Sequence, residues 1–362
     1  MQIHQFCAGF AIGDAISNEA LVLQEFLRSL GLESRIYTQH FSDQEADYVH
    51  HYREFRDRSG SILIYHHSFH SDFLPTLPQL KSRLVLVYHN TTPVQFVAPY
   101  NRKIADRLQK TRELLAKYHN LFELNLAASR FNARDLESLG FRDIAILPVP
   151  LQSRLKQKHD AKEDALPALE FLNDGRRNIL FVGRIFPNKR HQDLLKTFYY
   201  YQKIKPESRL CIVGDFHPGM KGYTAELVNL SRALGIHSHV LFTGMVSASQ
   251  LRRYYENSHL FLSMSEHEGF FVPLVESMHL NLPVLAYRAA VVPETLGDCG
   301  VTFTRKDHPR IAALMHSIIE NNIIRDQIIA GQKKRCSSFD DLSTIDAFQR
   351  GLIKIGIQFP GQ

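Results

Sequence analysis

Two glutamates flank a short turn in the second half of the chain, and they could bind the hydroxyl groups of a sugar. Glu268 and Glu276 stand with seven residues between them in the segment SEHEGFFVPLVESM, which covers 265–278. The pattern predicts a strand that ends near Glu268 and a helix that carries Glu276. Carboxylates accept hydrogen bonds from hydroxyl groups, and the N–H groups at a helix start attract anions. The alternative is a buried strand–helix unit in which both glutamates lack a ligand. The turn itself consists of Gly269, Phe270 and Phe271.

Two basic residues lie beside the predicted start of an earlier helix. Arg184 follows an apolar strand that ends at Gly183, and Lys189 comes five residues later, just before a helix expected from His191. Fixed cations beside a helix N-terminus are suited to binding a diphosphate. The alternative is that both are solvated surface charges, since Lys and Arg are mostly exposed.

A glycine turn follows the first predicted strand, in the segment from Gly9 to Gly13. Glycine there would let backbone N–H groups approach a phosphate at the start of the next helix. The segment lacks the GxGxxG pattern, and no acidic residue ends the second predicted strand. An NAD site is therefore disfavoured. A plain tight turn at Gly13 remains the alternative.

Histidines follow the strand predicted at 61–65 and suggest a metal site. His66, His67 and His70 form an HHxxH pattern with Asp72 nearby, which could ligate zinc. Histidines at the edge of a sheet could instead donate hydrogen bonds to phosphate or sugar, and we favour this interpretation. A purely structural role for them is the remaining alternative. The four cysteines form no CxxC pair, which argues against a disulfide framework or a cysteine zinc site.

The elements that must position these residues form two series of strand-then-helix units. Their apolar strands do not alternate with polar residues, which indicates strands buried on both faces of a parallel sheet. The chain of 362 residues is long enough for about two domains. We therefore predict two doubly wound α/β domains, 1–160 and 161–340, joined by a linker at about 152–177, with a last helix in 341–362 packing back on the first domain.

Composition limits the classes of partner. With 44% hydrophobic and 22% charged residues the chain is globular, and no apolar run reaches the roughly 18–20 residues that span a bilayer. The N-terminus lacks the basic start of a secretory signal, so a cytoplasmic location is expected. A net charge of +6 favours anionic ligands. No nucleic-acid-binding motif is present, so a nucleic-acid partner is not expected.

A basic amphipathic helix is predicted between Asn101 and Asn120. This stretch contains six basic and two acidic residues, interleaved with leucines and isoleucine. Such a helix could lie on an anionic membrane surface, although most charge runs are only solvated faces.

Three segments together resemble the retaining GT-B glycosyltransferases of family 4, the Glu-x7-Glu type. The resemblance covers most of the chain and is tightest from Asn178 to Tyr287. The segments are Val182-Gly-Arg184-x4-Lys189, Phe242-x-Gly244-x-Val246 and Glu268-x7-Glu276. It implies the GT-B fold, in which two Rossmann-like domains face each other across a cleft. The turn at Gly13 and the segment Tyr88 to Pro93 look most like mannosyltransferases that build bacterial surface polysaccharides.

The resemblance implies roles for individual residues of the donor domain. Arg184 and Lys189 would neutralise the diphosphate of the donor, Glu276 would hold its ribose and Glu268 would contact the transferred sugar. Amides of the turn after Glu268 would bind sugar hydroxyls or phosphate, and the backbone of Val246 would meet the base.

Carry-over to the first domain is looser because this domain varies most within the family. Gly13 would lie near the donor phosphates, and His89 would approach the donor sugar. Asp14, His66 and His67 are candidates for the acceptor side.

The predicted function is transfer of a hexose from a nucleotide-diphosphate sugar to a saccharide or polyprenyl-linked acceptor. The expected donor is GDP-mannose, with a UDP-sugar as the alternative base. No Asp-x-Asp motif is present, so no metal or other cofactor is expected. The enzyme could act on the inner face of the cytoplasmic membrane. Alternatives are a nucleotide-sugar epimerase or sugar phosphorylase of the same fold, and a non-catalytic nucleic-acid binder.

Overall fold

The computed structural model describes residues 1–150 and 167–359, which form two compact units. Unit 1 contains 1–94, 105–150 and 338–359, and unit 2 contains 95–104 and 167–337. Most of the predicted linker lies at 151–166, outside the described residues. The segment 95–104 was expected within the first domain, but its contacts assign it to unit 2.

Unit 1 is built on a parallel sheet of seven strands in the order β3-β2-β1-β4-β5-β6-β7. The reversal of strand order beside β1 is the doubly wound arrangement predicted from the unbroken apolar strands. The strands are β1 Ile3–Gly9, β2 Ile36–His40, β3 His50–His51, β4 Ile62–His67, β5 Arg83–Tyr88, β6 Leu124–Ala127 and β7 Ile144–Ile146.

Helices cover both faces of this sheet. Leu23 of the first helix and Phe348 of the last pack against Ile62 on one face, whereas Leu115 and Leu136 pack against Tyr65 on the other. Successive strand residues thus enter opposite cores, as in any buried parallel sheet. The helices in this part of the chain are α1 Ala15–Ser29, α2 Val94–Val97, α3 Arg102–Lys117 and α4 Arg130–Ser138. Of these, α2 from residue 95 and the first three residues of α3 belong to unit 2.

Unit 2 contains a six-stranded parallel sheet in the order β10-β9-β8-β11-β12-β13. This is the strand order of a Rossmann fold. Its strands are β8 Arg177–Val182, β9 Ser208–Val213, β10 Val240–Gly244, β11 Leu260–Ser263, β12 Val284–Tyr287 and β13 Val301–Phe303. Its helices are α5 His191–Ile204, α6 Lys221–Ala233, α7 Ala248–Glu256, α8 Val272–His279, α9 Val292–Leu296, α10 His308–Glu320 and α11 Asn322–Cys336.

Two predicted helices differ in detail from the structure. The pattern from Arg310 to Lys333 predicts one long helical tract. Asn321 divides this tract into α10 and α11, because its side chain accepts a hydrogen bond from the N–H of Ile324 and caps the second helix. The last helix, α12, runs from Asp341 to Lys354 and belongs to unit 1. Among the described residues, no helix is both long and apolar enough to span a membrane.

Candidate active site

The two predicted ligand-binding loops of unit 2 lie against each other at the carboxyl ends of β8 and β11. Lys189 forms an ion pair with Glu268, and its ammonium nitrogen also lies 5.8 Å from the ring centre of Phe271. Asn188 holds the same loops together through two hydrogen bonds. Its side-chain N–H donates to the backbone carbonyl of His267 at 2.7 Å, and its backbone carbonyl accepts from the N–H of Glu266. The structure therefore brings Lys189 and Glu268 into one site.

Several polar atoms in these loops are buried without a hydrogen-bond partner among the described residues. They are Oδ1 of Asn188, Oγ of Ser265 and Oε1 of Glu268. A buried polar atom that lacks a partner carries a desolvation cost, and a ligand hydroxyl would remove it. The free oxygen of Glu268 can accept a hydrogen bond while the other oxygen holds Lys189.

The turn after Glu268 holds a backbone geometry that suits a binding loop. Phe271 adopts a left-handed conformation with φ 67°, and Pro273 follows in the first turn of α8. The hydroxyl of Thr295 anchors the turn by donating to the carbonyl of Phe270 at 3.1 Å. Together with Gly269, these residues form the turn that the sequence predicts. A bulky non-glycine residue at this φ is strained, and such strain is enriched at active sites and ligand-binding loops.

Glu276 lies in α8 and is buried, with 2% of its surface exposed. The hydroxyl of Tyr255 in α7 donates to Oε2 of Glu276 at 2.7 Å and fixes the carboxylate. Tyr255 was not predicted from the sequence, because the two residues are far apart in the chain and no local spacing links them.

A glycine after β9 allows the loop that carries Arg184 and Lys189 to lie close to it. Gly214 follows β9, and a Cβ atom there would overlap the carbonyl oxygen of Gly183 and crowd the amide nitrogen of Arg184. Glycine is thus needed for the close approach of the two backbones. The side chain of Arg184 itself is exposed. Near it, burial and then the charge of Arg184 lower the pKa of His217.

A network of ion pairs supports the same loops from the side of α5. Asp193 is buried and lies 3.0 Å from the ammonium group of Lys306, which also lies 2.6 Å from Glu266. Arg190 contacts both acids, at 3.2 and 3.4 Å. Burial alone would raise the pKa of Asp193, but the hydrogen bond and charge of Lys306, with Arg190, lower it overall. Sequence spacing gave no sign of this network, since Lys306 joins it from after β13.

Val246 lies in the loop after β10 and is half-buried. The next residue, Ser247, caps α7 by accepting from the N–H of Gln250. The backbone of this loop is therefore held in place, while its proposed contact with a base stays a prediction.

In unit 1, Gly13 and Asp14 at the start of α1 each have a structural role. Gly13 has φ 86°, which favours glycine, and nothing lies within 4 Å of the position of a Cβ atom. Asp14 caps α1, accepting from the N–H groups of Ile16 and Ser17 at 3.1 and 3.3 Å. Ser17 and Asn18 are also residue types that cap helices, but the cap of α1 is Asp14. The carboxylate that was expected on the acceptor side is therefore committed to the helix.

The predicted HHxxH group does not come together. β4 continues through His67, so adjacent His66 and His67 lie within the strand and are 1% and 0% exposed. His70 instead contacts Thr111 at 3.0 Å and Asp72 at 3.4 Å. Direct acceptor contact by His66 and His67 does not fit this burial.

His66 joins a different group, which spacing could not predict. Its Nδ1 lies 3.1 Å from Nε2 of His89, directly after β5, and Glu19 of α1 lies on the other side of the His89 ring. The ligand atoms of these three residues all lie within 4.8 Å of one another. Burial lowers the pKa of His89 to about 3 and raises that of Glu19.

Part of unit 2 matches a known family model. Residues 163–335 match the family model described as Glycosyl transferases group 1. The Arg184–Lys189 loop and the Glu268–Glu276 segment both fall within the matched region.

Two curated relatives and one solved structure extend this likeness. The chain is 26% identical over 156 residues to the alpha-monoglucosyldiacylglycerol synthase of Streptococcus pneumoniae, covering 42% of this chain and 34% of the relative. It is 24% identical over 314 residues to the Dictyostelium discoideum GDP-Man:Man(3)GlcNAc(2)-PP-Dol alpha-1,2-mannosyltransferase, covering 82% and 56%. The matches thus span about a third to somewhat over half of these relatives.

The solved structure is Anabaena HepE in complex with UDP-glucose. It is 16% identical to this chain, covers 97% of it and 99% of its own chain, and has a TM-score of 0.72. At this identity the likeness concerns the fold. Both units of the chain therefore have the Rossmann-like α/β architecture of GT-B glycosyltransferases.

Proposed function

We propose that this chain, whose residues 163–335 match the group 1 glycosyl transferases, moves a hexose from a nucleotide-diphosphate sugar to a saccharide or lipid-linked acceptor. The observation that carries the proposal is the Lys189–Glu268 pair, in which a cation and a carboxylate with one free buried oxygen meet at the carboxyl ends of β8 and β11. Ligands of open parallel sheets bind at this edge.

The charges of this site suit departure of a nucleoside diphosphate. Negative charge grows on the phosphate oxygens as the sugar leaves, and a preorganised cation lowers the energy of that state. Lys189 is the inner cation, held against Glu268, and Arg184 is the exposed one at the mouth of the loop. When the donor binds, the diphosphate shares the Lys189 ammonium group with Glu268. The carboxylate oxygens of Glu268 then accept hydrogen bonds from the sugar.

Glu276 is proposed to hold the ribose hydroxyls of the donor. Its carboxylate is already oriented by Tyr255, so little side-chain freedom is lost when the nucleotide binds. Val246 is proposed to meet the base through its backbone. Gly269, Phe270 and Phe271 present the amides of the turn to the sugar or phosphate.

The donor is proposed to be GDP-mannose, and transfer is proposed to occur with retention and without a metal. Support for mannose comes from the resemblance to bacterial mannosyltransferases and from the Dictyostelium relative, whose name includes GDP-Man. The UDP-glucose in the HepE structure makes a UDP-sugar the competing donor. A lipid or lipid-linked acceptor is supported by the names of the two curated relatives, which include diacylglycerol and PP-Dol.

A nucleotide-sugar epimerase or a sugar phosphorylase would use a similar donor site. Incubation with donor alone separates them, since an epimerase yields an isomer and a phosphorylase with inorganic phosphate yields a sugar 1-phosphate. A transferase leaves the donor largely intact until an acceptor is added.

The experiment that tests the proposal is a thermal-shift screen with UDP, GDP, ADP and their sugars. A ligand present at 100 times its dissociation constant stabilises the folded state by about 2.7 kcal/mol. The donor found in this way is then supplied with lipid-linked and free saccharide acceptors, and NMR of the product reads the anomeric configuration. Absence of stabilisation by every nucleotide would overturn the proposal.

A further inference from the structure

Glu19 is an ionisable residue whose side chain is completely buried. It lies in α1, is 0% exposed, and neither of its carboxylate oxygens has a hydrogen-bond partner among the described residues. Removing an ionised carboxylate from water without a partner is very unfavourable, so such a group must be neutralised or shared. The titratable group that faces it is His89, whose Nδ1 lies 4.0 Å from Oε2 of Glu19.

The proton positions on the neighbouring rings follow from one fixed amide. Gln5 of β1 faces the carbonyl oxygen of Ala20 at 2.8 Å, and because a carbonyl only accepts, the NH2 group of Gln5 must point there. The amide oxygen of Gln5 then faces Nε2 of His66 at 2.9 Å, so that nitrogen carries a proton.

The proton position on His89 follows from that on His66. With its proton on Nε2, neutral His66 offers an unprotonated Nδ1, which lies 3.1 Å from Nε2 of His89. Nε2 of His89 must therefore be the donor. In a neutral His89 ring, Nδ1 is then unprotonated, and its lone pair is on the side of the ring that faces Glu19.

The burial of this group decides its charge. Burial raises the pKa of Glu19 and lowers that of His89 to about 3, which favours a neutral carboxyl group beside a neutral ring. The other titratable groups close by remain neutral as well, because burial raises the pKa of Cys7 and lowers that of His67 to about 3.

We propose that Glu19 is a positioning residue for His89: its protonated carboxyl group turns to shorten the 4.0 Å distance to Nδ1, donates a hydrogen bond to that nitrogen and holds the imidazole neutral, in one orientation, with the ring proton on Nε2. This inference rests on the proposed function, because it assumes that His89 serves glycosyl transfer. A neutral ring suits that reaction, since positive charge develops on the sugar in the transition state.

Nitrogen NMR of protein labelled with 15N-histidine tests the proton positions without any substrate. The His89 signals are identified by their loss in His89→Asn. We expect a neutral ring protonated on Nε2 at pH 7 and unchanged down to about pH 5. A doubly protonated His89 at pH 7, or a proton on Nδ1, would overturn the proposal. Stoichiometric bound metal in the purified protein, lost in Glu19→Ala, would also overturn it and show a His–His–Glu metal centre.

Turnover of the Glu19 variants then tests the positioning role. Glu19→Ala should lower kcat about 10- to 100-fold with little change in the donor KM, by comparison with the loss seen when a group that orients a metal-ligating histidine is removed. Glu19→Gln should recover most of this loss, because its amide N–H can donate to Nδ1. Glu25 is exposed on the same helix, so Glu25→Ala is the matched control and should behave as wild type.

Equal losses in Glu19→Gln and Glu19→Ala would contradict a neutral donor at this position. A wild-type protein that shows the expected His89 signals and transfers no sugar would refute the proposed function instead. The NMR and transfer results therefore separate the two failures.

Discussion

At the scale of single residues, the account depends on Lys189. Its ammonium group is enclosed between Glu268 and the ring of Phe271, with 17% of the side chain exposed. A cation in such a partly desolvated position acts more strongly on a nearby phosphate than a solvated one does. Glu268 balances that charge in the structure, and we propose that a diphosphate replaces part of this contact.

Lys189→Ala is expected to lower turnover far more than donor affinity. The cation is needed most when charge accumulates on the leaving phosphate, and removal of one such group costs on the order of 10²–10³ in rate. Steady-state kinetics measure the effect, and Lys196→Ala, an exposed lysine on α5, is the control. Near-normal turnover in Lys189→Ala would remove this residue from the mechanism.

Local spacing predicted the residues of the site that are close in sequence, and missed those that meet only in the fold. Arg184 and Glu268 come after strands, Lys189 comes just before a helix, and Glu276 lies in the helix after the turn. Their positions at a sheet edge could therefore be predicted. Tyr255, Lys306 and Glu19 reach their partners from other elements, and periodicity carries no information about such pairs.

At the scale of elements, strand ends were the least predictable feature. β4 runs two residues past its predicted end at Tyr65, and this extension buries His66 and His67. Histidine is polar enough to be taken for a loop residue, and only tertiary packing shows that the strand continues. In contrast, the amphipathic pattern of α12 was enough to predict a helix, and this helix belongs to unit 1.

Phe348 is expected to anchor α12 to unit 1. It is fully buried among residues of β1, β4 and α1. Phe348→Ala should lower the free energy of unfolding by about 3–5 kcal/mol, since the cavity adds to the lost transfer energy. Urea denaturation measures this loss. Leu342→Ala on the same helix, where the side chain is 70% exposed, should change stability little, and equal effects would show that α12 is not docked as described.

The helix α3 carries an exposed basic face that we expect to bind anionic lipid. Arg102, Lys103, Arg107 and Lys110 are exposed, whereas Arg112 is held by Asp135 at 2.7 Å and does not contribute. Each exposed cation near such a surface is worth about 1 kcal/mol, and salt screens the attraction over about 8–10 Å. Reversal of these four to glutamate should abolish sedimentation with phosphatidylserine vesicles at low salt.

A matched control reverses four exposed lysines of unit 2. They are Lys196, Lys203, Lys333 and Lys334. This variant has the same net charge as the α3 variant and should still sediment. Failure of the wild type to sediment would show that α3 is only a solvated face.

At the scale of the whole molecule, the two Rossmann-like units follow from the sequence because their strands are unbroken apolar runs. The assignment of 95–104 to unit 2 does not follow, since the series of strands gives no sign that a segment leaves its own unit. Contacts of Tyr100 with Glu226 at 2.8 Å and of Asn101 with Gly219 at 2.9 Å carry that assignment.

Transfer is expected to proceed in excess EDTA. The sequence lacks an Asp-x-Asp motif, and Arg184 and Lys189 are proposed to stabilise the diphosphate instead. The measurement is transfer rate with EDTA and then with added magnesium or manganese. Complete loss of activity that either metal restores would show that a metal ion, and not Arg184 with Lys189 alone, stabilises the diphosphate.

The central claim is that a nucleotide sugar binds at the carboxyl ends of the unit 2 strands, and isothermal titration tests it most directly. The nucleotide sugar that gives the largest thermal shift is titrated into wild type, Glu276→Gln and Glu256→Gln, the last an exposed glutamate on neighbouring α7. We predict one site in wild type and in Glu256→Gln, and binding at least about tenfold weaker in Glu276→Gln, which equals about 1.4 kcal/mol. Equal affinity in all three proteins would contradict the placement of the donor at this site.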